Sequence, residues 1–196
     1  TCMNWLQSFK IILASASPRR AELMKMAGFN FEVKTIEVDE SYPAELAPEE
    51  VAEFLAIKKA NGQRSLLKES DQLILTADSV VIKDNIVLGK PKSFEEAKNM
   101  IQFLAGDKHK VISGVCLLSK TKQVSFSVSS DVFMTNISEQ ELDYYIENYK
   151  PYDKAGSYGI QEWIGLTHIQ KIDGSYSNIM GLPMHEVYTH LKAFHA

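Results

Sequence analysis

The chain of 196 residues lacks the features that define fibrous, disulfide-stabilised or membrane proteins. Its two cysteines, Cys2 and Cys116, are typical of a reducing compartment rather than of a disulfide scaffold. Ten glycines and six prolines are too few for a collagenous or low-complexity chain. No apolar run approaches the roughly 18 residues of a membrane-spanning helix, and no signal-peptide pattern precedes the first predicted strand. We therefore expect a cytoplasmic globular protein with a single domain over residues 1–196.

The chain also has no excess of positive charge. It carries 21 lysines and arginines against 25 aspartates and glutamates, a formal net charge of −4. A broad nucleic-acid surface usually needs a basic face, and single-strand binding needs aromatic side chains interleaved with basic ones. We therefore expect neither a nucleic acid nor a membrane as a partner, although a local basic pocket is compatible with this balance.

Several common catalytic motifs are missing. There is no GxxxxGK[ST] phosphate loop, no GxGxxG after a strand and no GxSxG nucleophile turn. His185 and His190 invite comparison with a zinc protease motif, but they are five residues apart rather than four. On a helix they would diverge by about 140° and could not share one metal ion. No cluster of Cys and His has zinc-binding spacing.

Strand-like and helix-like segments alternate along the chain, which predicts an α/β fold with a mixed sheet. The predicted strands are residues 11–14, 72–82, 86–88, 111–118, 123–135 and 168–172. The predicted helices are residues 19–27, 48–60, 93–105, 138–149 and 183–194. The boundary signals are Ser17 as an N-cap before Pro18, Gly28 and Gly62 as helix stops, and the capping boxes Ser93/Glu96 and Ser138/Glu141.

The segment from Ser15 to Arg20 is the first candidate binding element, because it lies where a strand gives way to a helix. The backbone amides and the dipole of a helix start favour an anion. Arg19 and Arg20 oppose that dipole, a conflict that an anionic ligand would relieve. A solvated pair of surface arginines is the alternative.

Two acids and two lysines are the next candidates. Asp78 lies within an apolar strand, where burial without a partner would be costly, so it predicts a metal ion, a lysine or exposure in a cleft. An aspartate satisfied by backbone amides at a strand kink is the alternative. Glu40 could supply a second oxygen ligand, and Mg²⁺ prefers one or two carboxylates with phosphate oxygens and water. Lys59 and Lys90 are candidate cations, although a lysine such as Lys59 at a helix end also simply complements the dipole.

A glycine-containing run over residues 153–161 would let the backbone approach a ligand closely. The alternative is a tight turn between two secondary-structure elements. Gln161 closes the run, and its amide could donate to and accept from the edge of a base.

Taken together, these segments resemble the Maf family of nucleoside triphosphate pyrophosphatases over nearly the whole chain, from Leu13 to Pro183. The matching segments are residues 13–15, 17–20, 39–40, 59–60, 77–81, 89–91, 109–111, 153–156, 158–161, 174–176 and 181–183. The resemblance implies an elongated mixed sheet, as in the inosine triphosphate pyrophosphatases, with two lobes around a central cleft, and often a homodimer. It also implies hydrolysis of a nucleoside triphosphate to the monophosphate and pyrophosphate, with Mg²⁺ or Mn²⁺ as the cofactor.

By position, the resemblance makes Asp78 the proton acceptor that activates water, and Asp78 and Glu40 the metal ligands. It assigns triphosphate binding to five residues: Ser15, Arg20, Lys59, Lys90 and Lys154. Substrate class in the family follows three positions, here Arg19, Ser79 and Gln161. Arg19 and Gln161 resemble the branch that prefers dTTP and UTP, and modified pyrimidine triphosphates fit the same branch.

Three residues depart from the family pattern. Ser79 replaces a threonine, Lys150 stands where a glutamate generally precedes the proline, and Glu162 replaces a glycine after Gln161. Two other functions stay open at this point. One is the same reaction on 7-methyl-GTP or another modified purine triphosphate; the other is a non-enzymatic, nucleotide-binding regulator of septum formation.

Overall fold

The computed structural model describes residues 4–195, so Cys2 lies outside the described residues. The described chain forms two compact units. The first contains residues up to 78, residues 113–128 and residues from 181 onward, and the second contains residues 79–112 and 129–180. The single domain expected over residues 1–196 stays a prediction.

The strands form one mixed sheet, which confirms the predicted α/β class. Its strands are β1 (Lys10–Leu13), β2 (Phe31–Val33), β3 (Gln72–Lys83), β4 (Ile86–Leu88), β5 (Lys108–Leu118), β6 (Gln123–Met134) and β7 (Ile169–Asp173). The hydrogen-bonded order is β2-β1-β3-β5-β6-β7, and β4 pairs with β3. β1 runs parallel to β2 and β3, whereas the β3–β4 and β6–β7 pairs are antiparallel.

Seven α-helices accompany the strands within the described residues. They are α1 (Pro18–Met26), α2 (Val51–Gly62), α3 (Phe94–Leu104), α4 (Glu139–Tyr149), α5 (Trp163–His168), α6 (Tyr176–Met180) and α7 (Met184–His195). Short 3₁₀ turns occupy Asn4–Gln7, Pro48–Glu50, Arg64–Leu66 and Ala155–Ser157. Among residues 4–195, no helix is both long enough and apolar enough to cross a membrane.

The helix boundaries follow most of the sequence signals, with three corrections. The predicted Ser93/Glu96 capping box is half formed: the Ser93 hydroxyl accepts from the amide of Glu96, whereas the Glu96 carboxylate accepts from the amide of Lys92 rather than from that of Ser93. Gly28 ends α1 in the left-handed region, at φ 83°, and the Ser138/Glu141 capping box is present in full. Ser17 has extended backbone angles before α1, but its side chain makes no capping hydrogen bond. Instead its amide donates to the hydroxyl of Ser15, 3.2 Å away. Gly62 is the last residue of α2, whereas the sequence predicted that this helix ends at Ala60 and that Gly62 lies beyond it.

Each unit has its own apolar cluster. In the first, Ile12 of β1, Ile74 of β3 and Cys116 of β5 pack with Ala56 and Ala60 of α2. Burial raises the pKa of the Cys116 thiol to about 12, so this side chain packs as a small apolar group. In the second, strand and helix side chains surround the fully buried Tyr145 of α4. These clusters fix α2 on the sheet of the first unit and α4 within the second.

Candidate functional site

Lys59 joins the two predicted acidic residues in the first unit. Its ammonium Nζ lies 2.9 Å from Oε1 of Glu40 and 2.9 Å from Oδ1 of Asp78. Asp78 directly follows five buried residues of β3, and Lys59 lies in the last turn of α2. The side chains of Lys59 and Asp78 are only 16% and 15% exposed, whereas Glu40 is 54% exposed on the segment that precedes α2. The alternative for Lys59 was a cation that only complements the helix dipole, and this alternative does not account for its contacts with both acids.

Arg20 brings the start of α1 to the same cluster. Its Nε donates to the carbonyl of Gly181 over 2.7 Å, and its Nη1 donates to the hydroxyl of Ser15 over 3.3 Å. Burial lowers the pKa of Arg20, and the charges of Asp78 and Glu40 act in the opposite direction. The charge of Arg19 lowers the pKa of Arg20 further. The guanidinium is thus electrostatically coupled to both acids, although it comes from a different element.

A second ion pair joins the residues that directly precede Lys59 and Glu40, namely Lys58 and Asp39. The Nζ of Lys58 lies 2.6 Å from Oδ2 of Asp39 and 2.6 Å from the carbonyl oxygen of Ser41, and Ser41 also donates to Asp39. These contacts lower the pKa of Asp39 to about 2, with the hydrogen bond from Lys58 as the largest cause. Two consecutive lysines of α2 therefore bind two consecutive acids of the preceding segment. Lys58 holds the residues before and after Glu40, and Lys59 holds Glu40 itself.

The two carboxylates have the donor chemistry of a magnesium or manganese site that is completed by substrate. Two oxygens within 2.9 Å of one nitrogen can be no farther apart than twice that distance, and Mg²⁺ commonly uses one or two carboxylates with phosphate oxygens. Among residues 4–195, no group of three or more His, Cys, Asp or Glu side chains is arranged to hold a metal by itself. The Asp78 and Glu40 pair thus fits a metal whose remaining ligands are phosphate and water.

The second unit holds Lys154, which the resemblance assigns to triphosphate binding. Its Nζ lies 2.9 Å from Oε1 of Glu162 and 3.0 Å from Oδ1 of Asp153. Glu162 also accepts a short hydrogen bond from the hydroxyl of Tyr145, and that hydroxyl accepts from the amide of Gly159 over 3.0 Å. Lys154 is therefore embedded in a network of this unit's own residues.

The other predicted positions are distributed over both units. Arg19 is half-buried in the first turn of α1, in the first unit. Ser79 is half-buried in β3 of the second unit, directly after Asp78, and Lys90 is exposed after β4. Gln161 is exposed in the turn before α5. The structure thus assembles Ser15, Arg20, Glu40, Lys59 and Asp78 in one unit and places Ser79, Lys90, Lys154 and Gln161 in the other.

Sequence reasoning missed Lys58, Tyr145 and the pairing of Glu162 with Lys154. The doublets Asp39-Glu40 and Lys58-Lys59 carried a usable signal, because two adjacent acids can pair with two adjacent lysines. Tyr145 gave no such signal, since its position in an apolar helix face is indistinguishable from that of a core aromatic.

The chain is similar to known proteins over nearly its whole length. A family model described as Maf-like protein matches residues 10–194. A protein of Porphyromonas gingivalis named dTTP/UTP pyrophosphatase is 48% identical over 191 residues, which cover 96% of each chain. Proteins with the same name from Phocaeicola vulgatus and Flavobacterium johnsoniae are 48% and 45% identical, over 95% of this chain and 97% and 95% of theirs.

A solved structure shows a similar fold at low sequence identity. The Staphylococcus aureus Ham1 protein superposes with a TM-score of 0.56 and 12% identity, over 94% of this chain and 97% of that one. At this identity the likeness bears on fold alone, and it agrees with the mixed sheet described above. The family match, the near full-length relatives and the assembled acidic and basic residues lead to one conclusion: the chain belongs to the Maf family.

Proposed function

We propose that the protein is a nucleoside triphosphate pyrophosphatase that hydrolyses dTTP and UTP to the monophosphate and pyrophosphate. The observation that carries this proposal is the convergence of Asp78, Glu40, Lys59 and Arg20 in the first unit. The curated relatives named dTTP/UTP pyrophosphatase, which match almost end to end, support the choice of substrate.

The proposed chemistry is water attack at the α-phosphorus. A bond forms between the water oxygen and phosphorus, the bond from phosphorus to the bridging oxygen breaks, and pyrophosphate leaves. Asp78 accepts the proton of the attacking water. Phosphoryl transfer asks for little covalent chemistry from the protein, so positioning and charge neutralisation supply most of the acceleration.

Positive groups of the first unit would hold the polyphosphate. Lys59 and Arg20 supply the cations, and the hydroxyl of Ser15 lies within hydrogen-bond distance of Arg20 at the start of α1. The start of a helix favours an anion because its amides and dipole point toward it. Lys90 and Lys154 of the second unit are further proposed phosphate ligands.

A divalent metal, Mg²⁺ or Mn²⁺, is proposed as the cofactor, with Asp78 and Glu40 as its protein ligands. When bound, it would polarise the phosphate oxygens and neutralise charge that develops on the departing pyrophosphate. Lys59 already lies within 2.9 Å of both carboxylates, so the metal and the lysine would share a site with two negative charges.

Base choice is assigned to Arg19, Ser79 and Gln161. A site whose polar groups pair with the edge of one base discriminates strongly, because the wrong base leaves buried polar atoms unpaired. The assignment of these three residues, the homodimer and the cytoplasmic location are proposals from the resemblance and the sequence.

A nucleotide panel tests the function. The purified protein is incubated with dTTP, UTP, CTP, dATP, GTP and 7-methyl-GTP, each with Mg²⁺, with Mn²⁺ and with a chelator, and pyrophosphate release is measured. We expect the highest kcat/KM with dTTP and UTP and loss of activity with the chelator. Preference for 7-methyl-GTP would contradict the pyrimidine assignment, and nucleotide binding without pyrophosphate release would favour the regulator.

The same panel with an Asp78→Asn variant tests the site. This substitution keeps the shape of the side chain but removes a charge and a proton acceptor, so kcat should fall by about 10² to 10⁴. Near-normal turnover would contradict the role of Asp78.

A further inference from the structure

A turn over residues 159–162 carries the exposed Gln161. The amide of Glu162 donates to the carbonyl of Gly159 over 3.1 Å and so closes the turn immediately before α5. Because the side chain of Gln161 is exposed, its position follows from the backbone on either side of it. Contacts that fix the positions of Gly159 and Glu162 therefore also fix the backbone position of Gln161.

Tyr145 holds both ends of this turn. Its side chain is fully buried in the second unit, and its hydroxyl accepts from the amide of Gly159 over 3.0 Å. The same hydroxyl donates to Oε2 of Glu162. Burial and the adjacent carboxylate raise the pKa of Tyr145, so the hydroxyl keeps its proton and remains a donor. One hydroxyl thus ties the first residue of the turn to the last.

Glu162 is restrained a second time by Lys154. The carboxylate oxygen not bonded to Tyr145 lies 2.9 Å from Nζ of Lys154, and both side chains are largely buried, at 16% and 10% exposure. A Cβ placed on Gly159 would lie 2.9 Å from Cδ of Glu162 and 2.9 Å from Cε of Lys154. The ion pair therefore lies directly on the Gly159 backbone and covers the turn.

We propose that Glu162, together with Tyr145, is a positioning residue for base selection, which acts through Gln161. The proposal rests on the proposed function, in which Gln161 reads the base. Its basis is the closed set of contacts from Gly159 through Tyr145 and Glu162 to Lys154, which hold the two ends of the turn on either side of the exposed glutamine. A carboxylate at position 162 makes these contacts, and a glycine there could make neither the hydrogen bond nor the ion pair.

The first arm of the test measures how well the turn is protected from hydrogen exchange in the absence of nucleotide. Amide hydrogen exchange at residues 159–162 is measured in the wild type, in Glu162→Ala and in Glu162→Gln, with Glu147→Ala as a control on the exposed face of α4. We expect faster exchange in Glu162→Ala, partial protection in Glu162→Gln because its amide oxygen still accepts from Tyr145, and wild-type exchange in Glu147→Ala. Unchanged exchange in a folded Glu162→Ala protein would overturn the proposal.

The second arm is a double-mutant cycle on base selection. The ratio of kcat/KM for dTTP to that for GTP is measured in the wild type, Glu162→Ala, Gln161→Ala and the double variant. We expect Glu162→Ala to lower the ratio about tenfold in the wild-type background and to have little further effect once Gln161 is removed. Tyr145→Phe should lower the ratio in the same direction.

The outcomes separate the two claims. If the wild type releases pyrophosphate but Glu162→Ala leaves the ratio unchanged, or lowers it equally with and without Gln161, the positioning role is overturned and the proposed function stands. If the wild type releases no pyrophosphate from any nucleotide, the proposed function fails and the base-selection role fails with it. Melting temperatures of all variants identify any that simply fail to fold, and Glu162→Gln then replaces Glu162→Ala in the cycle.

Discussion

The ammonium of Lys59 lies at the same distance, 2.9 Å, from a carboxylate oxygen of Glu40 and from one of Asp78. One cation from the end of α2 therefore holds together an acid from an irregular segment and an acid from β3. The contact with Asp78 is largely shielded from solvent, so screening by salt should weaken it less than a surface ion pair.

Replacing Lys59 should impair catalysis more than folding. In Lys59→Ala, the two carboxylates lose their shared cation and the polyphosphate loses a binding group, so kcat/KM should fall by about 10² to 10³. Lys59→Arg should recover part of the activity because it keeps the charge. Pyrophosphate release is the measurement, and Lys25→Ala, at an exposed position in the last turn of α1, is the matched control. Equal activity of Lys59→Ala and Lys25→Ala would contradict the role of Lys59.

Lys58 should affect activity without contacting the substrate, because it fixes the segment that carries Glu40. Lys58→Ala removes the contacts to Asp39 and to the Ser41 carbonyl, and we expect a loss of about threefold to tenfold in kcat/KM. The loss should appear mainly as a higher Mn²⁺ concentration for half-maximal activity. Titration of activity with Mn²⁺ measures this. Asp39→Asn breaks the same ion pair from the other side and should have a similar effect. A Lys58→Ala protein with an unchanged Mn²⁺ titration would show that the segment holds Glu40 without Lys58.

Gly114 of β5 should not accept a side chain, because α2 packs directly on it. A Cβ at this position would lie 2.3 Å from the carbonyl carbon of Ala52 and 2.3 Å from the amide nitrogen of Glu53. Gly114→Ala therefore has to displace the helix that carries Lys59, and it should lower the free energy of unfolding by about 1–3 kcal/mol. Gly89→Ala is the control, because no atom of the described residues lies within 4 Å of a Cβ placed there. Urea unfolding of both variants decides the matter, and equal midpoints would contradict the close packing.

His109 should make the second unit sensitive to acid. This side chain is buried, its Nε2 lies 2.5 Å from the hydroxyl of Tyr158, and its Nδ1 has no hydrogen-bond partner among the residues that the structure describes. Burial and then the charge of Lys83 lower the pKa of His109 from 6.5 to about 4, while Asp107 and Asp131 act in the opposite direction. The folded protein therefore keeps the imidazole neutral over a range in which the unfolded chain binds a proton.

The sign of the pH dependence follows from that shift. The contribution of His109 is fully present above pH 6.5 and is lost progressively as the pH falls toward 4, by roughly 3 kcal/mol in total. His109→Gln should be less stable at neutral pH but should show a flatter dependence between pH 6.5 and 4. Urea unfolding at several pH values measures the difference from the wild type, with His185→Gln as the exposed control. Parallel curves for the wild type and His109→Gln would contradict the prediction.

The sequence predicted the long elements because their signals are local. The apolar run before Asp78 identified β3, and the Ser138/Glu141 pair identified the start of α4. The β2 strand was missed because its three residues are partly exposed and form a strand only by pairing with β1. α5 and α6 have only six and five residues, too few for a helical period to stand out.

The candidate site was predicted in its members but not in its contacts. Residue types and the resemblance singled out Glu40, Lys59 and Asp78, yet no local rule states that one lysine bridges both acids. The same holds for Glu162, which the sequence marked only as a departure from the family pattern. Its ion pair with Lys154 and its bond to Tyr145 depend on how α4 packs in the second unit, which is a property of the tertiary structure.

The hydrogen bond from Arg20 to the carbonyl of Gly181 joins residues 161 positions apart in the chain. During synthesis Arg20 leaves the ribosome 161 residues before its acceptor, Gly181. Even if the β1–α1 region collapses as soon as it emerges, Arg20 cannot make this hydrogen bond until Gly181 has emerged as well. A ribosome-bound nascent chain that stops short of Gly181 would therefore still lack the contact that holds the Arg20 guanidinium in place.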